Sequence, residues 1–224
     1  MTEQEPSKIL RRQYTSLWNG FMKRLRNDHL LSRVTAWWFD HQKLELLDRL
    51  VDHGPFEGIP FLPVIPFSWC DSRRQGLAAN GTDHMNAMPF PHTLADRETV
   101  PPGPYFMLDV RLGDAITEEF LPTAVNRLKY GERRPLTLAE TFALILHAPH
   151  SLHGNDLVAA GSGSITSGRG RKIDADLLLR LAKNGSLEVV EIGEMIDQLR
   201  PRIPTCRTAL DPNTLWADAT DEEI

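Results

Sequence analysis

Residues 104–114 read PYFMLDVRLGD. Tyr105, Phe106, Met107, Leu108 and Val110 form an apolar run broken only by Asp109, with Pro101-Pro102-Gly103-Pro104 before it and Gly113-Asp114 after. A short apolar run between turn signals predicts a buried β-strand. Further on, residues 133–152 read RRPLTLAETFALILHAPHSL. Thr137 followed three residues later by Glu140 is a capping box, in which each side chain closes an open backbone N–H of the first helical turn. Leu138, Phe142, Ile145 and Leu146 recur at helical spacing and give that helix an apolar face. Pro149 stops it. Next, Leu157-Val158-Ala159-Ala160 predicts a strand that drains into a Gly-Ser-rich loop. Strand, helix and strand at this density predict a globular core.

On these residues the chain resembles an uncharacterised bacterial family of unknown function. The shared features are a strand ending in an LDV-like run and Gly-Asp, a PLT-opened helix ending His-x-Pro, a Gly-Ser-rich basic loop and a hairpin, over about Phe61 to Ala209. The likeness implies a shared fold and carries no activity. After Arg171 the chain departs from it, with aliphatic residues where the resemblance implies a tryptophan-containing hairpin.

The 224 residues allow one core with a helical appendage. Hydrophobic content of 41% and charged content of 25% are those of an ordinary globular protein. A net charge of −5 argues against a dedicated nucleic-acid binder, which needs clustered Lys and Arg. Two cysteines, Cys70 and Cys206, are too few for a disulfide framework. The first residues show no signal-peptide pattern and no stretch reaches membrane-span length, so a soluble cytoplasmic protein without membrane association is expected.

Residues 7–53 are helical in pattern, with Trp18, Trp37 and Trp38 among their apolar positions. They predict two helices joined as a hairpin, ending at Gly54-Pro55, whose aromatics pack either on the sheet of the same chain or on a partner or second copy. Ile59 to Trp69 carries three prolines, so it reads as an edge or irregular strand. Residues 70–104 lack a period and read as a long loop, a first place to look for a binding site. Residues 117–130 predict a helix, and the apolar runs around Lys183-Asn184-Gly185-Ser186 predict a β-hairpin. The acidic tail from Leu210 to Ile224 reads as disordered. The expected architecture is α+β: an amino-terminal helical hairpin (1–54) packed on a mixed sheet of about five strands (55–210), then the tail (211–224).

Four groups invite a chemical reading. His147, His150 and His153 are spaced at threes and could hold a metal with Asp156, but Pro149 breaks the helix between the first two, so no metal and no cofactor is expected. The stretch 161–172, GSGSITSGRGRK, offers glycine N–H groups, the hydroxyl of Ser162 and the cations Arg169, Arg171 and Lys172, a composition suited to an anion. It lacks the Gly-Lys-Ser/Thr ending of a phosphate loop, and a strand follows rather than a helix, so a flexible linker is its plainer reading. Asp109, a carboxylate in a buried strand, must be paired or reach the strand's end, whereas Asp114 reads as a turn residue. Cys206, beside Arg207 and near Arg202, would be a nucleophile if its pKa were lowered, with His41 or His53 as base.

No Ser/His/Asp signature, nucleotide fingerprint or CxxC pair is present. The expected function is therefore a non-catalytic binding or accessory protein that engages a protein or peptide partner, with a homodimer as one form of it. The alternative is a small enzyme or ligand-binding domain acting on an anionic substrate at 161–172. Asp109, His147, Ser162, Arg169 and Arg171 are its candidate ligand-binding residues, and it requires that Asp109, His147 and Arg169 converge on one pocket.

Overall fold

The computed structural model of the chain describes residues 4–54, 56–70, 75, 94–113, 123–124, 127–128, 133–168, 171–181, 187–192 and 202–210. Helix α1 (Gln4–Asn27) ends where His29 takes a left-handed backbone, with φ of 54°. Leu30 N–H reaches back to Leu25 O at 2.9 Å and His29 N–H to Arg26 O at 3.1 Å. Those two bonds satisfy carbonyls the helix would otherwise leave open, and the buried Leu25 and Leu30 sit at the ends of the first. The chain then turns into helix α2 (Arg33–His53), whose first turn is capped by the Ser32 hydroxyl accepting from Thr35 N–H at 3.0 Å. Arg11 pairs with Asp48 and Arg26 with Asp40, so the two helices run antiparallel.

Strands β1 (Ile59–Val64), β2 (Leu94–Asp96), β3 (Tyr105–Val110), β4 (Arg134–Pro135), β5 (Leu157–Gly168), β6 (Arg171–Leu181), β7 (Leu187–Ile192), β8 (Thr205–Cys206) and β9 (Thr208–Leu210) follow. They form a three-stranded sheet in the order β1-β3-β9, a four-stranded sheet β2-β5-β6-β7 and a two-stranded β4-β8 ribbon. The ladders are antiparallel, and a parallel bridge joins Leu157 to Arg202. Strand β1 lies at a sheet edge, the place where a strand bearing Pro60 and Pro63 is tolerated. Strand β3 is buried along its whole length. The β6–β7 hairpin pairs Leu181 with Leu187 across the Asn-Gly segment.

Helix α3 (Leu138–His147) carries the predicted capping box and packs against β1 and β5, with nine of its ten residues buried. The helical hairpin closes over β1 and β3 through an aromatic cluster: Trp18 lies 5.5 Å from Phe106, Phe39 5.2 Å from Phe106, and Phe21 5.4 Å edge-on to Phe61. The α+β class and the amino-terminal helical hairpin are thus as the sequence predicts. Two stretches differ. Leu94–Asp96, within the expected 70–104 loop, forms β2 on β5. Residues 161–168 form the second half of β5, laddered to β6 with Gly168 across from Arg171, and are not a flexible linker. Of the expected helix over 117–130, residues 123–124 and 127–128 are helical and the others lie outside the described residues. So do most of the 70–104 loop and the acidic tail.

No helix among the described residues is long and apolar enough to cross a membrane.

Candidate functional site

Asp109 is 1% exposed near the end of the buried strand β3, and its backbone is left-handed, with φ of 50°. Asp and Asn tolerate that conformation better than other non-glycine residues because their short polar side chains bond locally. Its Oδ1 accepts from Gly58 N–H at 3.0 Å. A Cβ at residue 58 would stand 2.2 Å from Val110 O, so only glycine brings the backbone that near. Its Oδ2 faces three guanidiniums: Arg133 Nη1 at 2.6 Å, Arg111 Nη2 at 3.5 Å and Arg207 Nη2 at 3.9 Å. Burial alone would raise the Asp109 pKa. The Arg133 and Gly58 hydrogen bonds and the charges of Arg133 and Arg111 outweigh it and hold the carboxyl below its ordinary range. The paired carboxylate that the strand required is therefore present.

Ser162 lies in an irregular stretch of β5. Between Val158 and Gly163 the register with β6 shifts, and the chain bulges toward the start of α3. There Gly161 N–H donates to Leu136 O at 2.9 Å, and a Cβ at residue 161 would meet the Leu136 carbonyl at 2.8 Å. The Ser162 hydroxyl accepts from Leu138 N–H at 2.9 Å and donates to Asp96 Oδ1 at 2.5 Å. It satisfies one of the open donors at the helix start. Beside it, Glu140 is fully buried and accepts from Thr137 N–H at 2.8 Å, from Tyr105 Oη at 2.8 Å and from both terminal nitrogens of Arg134. Burial, then the Glu140 charge, raises the Tyr105 pKa and keeps its hydroxyl a donor. Serine, carboxylates and arginine here hold α3 to the sheets and leave no hydroxyl poised for attack.

His147 sits at the other end of α3. Its ring packs 4.6 Å from that of Phe21, and both ring nitrogens are buried without a hydrogen-bond partner, though an edge of the residue stays open. Burial, then the nearby Arg24 charge, depresses its pKa to about 3. His150 and His153 are exposed, so the three imidazoles do not share a face. Among the described residues no group of three His, Cys, Asp or Glu side chains is arranged to hold a metal. The Cys206 thiol is fully buried, and burial followed by the Glu140 charge pushes its pKa up to about 12. That corrects the expectation of an activated nucleophile: the neighbouring arginines lower the pKa less than burial raises it.

Asp109, Ser162 and His147 therefore do not meet. Asp109 is held by Arg133 across β3 and β8, Ser162 caps one end of α3, and His147 lies at its far end, about 15 Å away at the helical rise per residue. Arg169 and Asp114 lie outside the described residues, and of Arg171 only the backbone in β6 is described. The residues the sequence reading missed are Arg111, Arg133, Arg134 and Glu140's buried role. One signal could have found two of them: consecutive residues of an extended segment point to opposite sides, so the Arg133-Arg134 pair must serve two different places.

The surface tells more than the interior. Helix α2 buries Thr35, Phe39, Gln42, Leu46 and Leu50 toward the core. Its opposite side carries Val34 at 60%, Trp37 at 57% and Leu44 at 67% exposure, with His41 stacked on Trp37 at 4.2 Å. Trp18, another of the helical-hairpin tryptophans read as possible contacts, is 1% exposed and belongs to the core. A groove of about 440 Å³ runs between α1 and α2, lined by Trp18, Met22, Lys23, Arg26, Asp40 and Lys43, and holds none of the predicted site residues. No family model, curated protein or solved structure matches the chain, and the site is read from its own residues.

Proposed function

We propose that the protein is a non-catalytic binding protein whose α2 outer face holds a helical segment of a protein partner. One observation carries the reading. Val34, Trp37, His41 and Leu44 follow one another at three, four and three residues, the spacing of a two-helix seam, and the three apolar members are each more than half exposed. Single exposed hydrophobics are common, whereas a contiguous stripe centred on tryptophan has the composition of an interface core. Its length, about 15 Å, suits three turns of a partner helix.

Asp40, Glu45 and Asp48 beside the stripe are paired within the chain with Arg26, Arg49 and Arg11, so apolar contact rather than charge pairing would hold the partner. The protein is read as a cytoplasmic one of bacterial type on the sequence grounds given above. The alternative, an anionic substrate at 161–172, has less support. Residues 161–168 spend backbone N–H groups in a ladder and the Ser162 hydroxyl is engaged.

The test is affinity capture from lysate of the source cells with wild type and with Trp37→Ala/Leu44→Ala, whose exposed positions leave the melting temperature nearly unchanged. A partner retained by wild type and lost by the double variant supports the reading. Identical captured proteins on both baits, or concentration-dependent dimerisation that the double substitution abolishes, overturn it.

A further inference from the structure

Around Asp109 there are more guanidiniums than the carboxylate needs. Arg133 is spent: its Nε donates to Thr205 Oγ1 at 3.0 Å, its Nη1 to Asp109 Oδ2 at 2.6 Å, and its Nη2 to the carbonyls of Asp109 and Thr205. That one residue neutralises Asp109 and ties β3 to β8. Arg111 and Arg207 then remain. Arg111 reaches Glu57, whose side chain is 75% exposed and so a weak, screened partner. Its Nε–H is buried and has no acceptor. Arg207 stands across from Asp109 in the register that pairs Leu108 with Thr208 and Arg111 with Thr205. It comes no closer than 3.9 Å to Asp109, beyond hydrogen-bond length, and its side chain is half exposed.

Three guanidiniums thus meet two carboxylates, one of them mostly in water. Buried donors are normally satisfied, and an open one beside surplus positive charge marks the place for an acceptor. The strained backbone of Asp109 adds to this, since a left-handed residue inside a strand persists only where the surroundings hold it. We propose that Arg111 and Arg207 form a binding site for a phosphate-type oxyanion, free or on a phosphate monoester, with Asp109 and Arg133 as positioning residues. Asp109 draws both guanidiniums to one place, and Arg133 cancels the repulsion that its carboxylate would exert on the ligand. This site is separate from the α2 face and independent of the function proposed for it.

The experiment is calorimetric titration of the full-length protein with inorganic phosphate and with glycerol phosphate, at constant ionic strength set by sodium chloride. Wild type should bind with saturation, and the tighter of the two ligands tells free anion from monoester. Arg207→Gln should weaken binding about tenfold or more, the loss of a charge-assisted contact. Its unliganded melting temperature should hold, because the wild-type side chain makes no close contact. Arg207→Lys, which keeps the charge without the fork, should fall between. Absence of saturable binding to either ligand, or equal binding by wild type and Arg207→Gln, overturns the proposal.

Discussion

Arg133 and Arg134 are neighbours in the chain and send their guanidiniums to two different buried carboxylates. Arg133 bonds Asp109 at 2.6 Å, and Arg134 bonds Glu140 through both terminal nitrogens. The first pair holds β3 to β8, the second holds the start of α3 to β4 and, through Tyr105, to β3. Two charges out of water are stable only with close partners, and each of these carboxylates has a guanidinium and a backbone N–H against it.

Breaking the Arg134–Glu140 pair from one side leaves the fully buried Glu140 carboxylate uncompensated. Arg134→Met should therefore cost about 3–5 kcal/mol. Asp109→Asn, which accepts the left-handed backbone, should cost less than Asp109→Val, whose branched side chain resists it. Urea midpoints at unchanged slope check this order. Because the Asp109 pKa is lowered in the folded state, its contribution is present above the unfolded carboxylate pKa of about 3.9 and is lost as pH falls through the folded value. Equal costs for Asn and Val would mean that the backbone at residue 109 stores no strain.

His147 makes stability fall in acid by the same linkage at higher pH. Its folded pKa, about 3, lies far below the ordinary histidine value. The unfolded chain takes up a proton as pH drops below about 6.5, while the folded chain stays neutral. The stability it confers is whole above that pH and drains between about 6.5 and 3, to the extent of a few kcal/mol. His147→Leu should remove this loss. At pH 7 it should be as stable as wild type or more so by about 1 kcal/mol, since two buried polar atoms without partners disappear. The comparison is urea unfolding of both proteins at pH 7, 5 and 4, and parallel pH profiles would contradict it.

Cys206 should be inert in the native protein. With its thiol buried and its pKa near 12, the thiolate fraction at pH 8 is negligible. Modification by an aromatic disulfide reagent should wait for unfolding and follow the same denaturant dependence as tryptophan fluorescence. A fast, stoichiometric reaction of Cys206 in buffer would show that β4 and β8 part readily.

The legible parts of the fold were local. The Thr137–Glu140 box, the buried run at Tyr105, the proline-bearing edge strand and the Asn-Gly hairpin each declare themselves within a few residues. What was not legible depends on partners distant in the chain. Asp109 showed that it needed a cation, but Arg133 lies 24 residues on and Arg207 further still. Gly161 to Gly168 has loop composition, and it becomes a strand because β6 pairs with it. Helix α2 is apolar on both sides, so periodicity alone could not tell that Val34, Trp37 and Leu44 face outward while Phe39 and Leu46 face the core. The two arginines of the proposed oxyanion site look like ordinary surface charges in the sequence.

Residues 205–210 belong to two sheets at once, β8 completing the ribbon with β4 and β9 completing the sheet with β3. Their partners were made some 70 to 100 positions earlier in the chain, a separation that slows closure because loop entropy is lost before contacts repay it. During synthesis, β3 must wait with one edge unpaired and Asp109 without its Thr205-braced arginine until residues 205–210 have left the ribosome. The protein is therefore most exposed to edge-to-edge aggregation in the interval before this segment arrives, and residues 205–210 act as the latch that ends that interval.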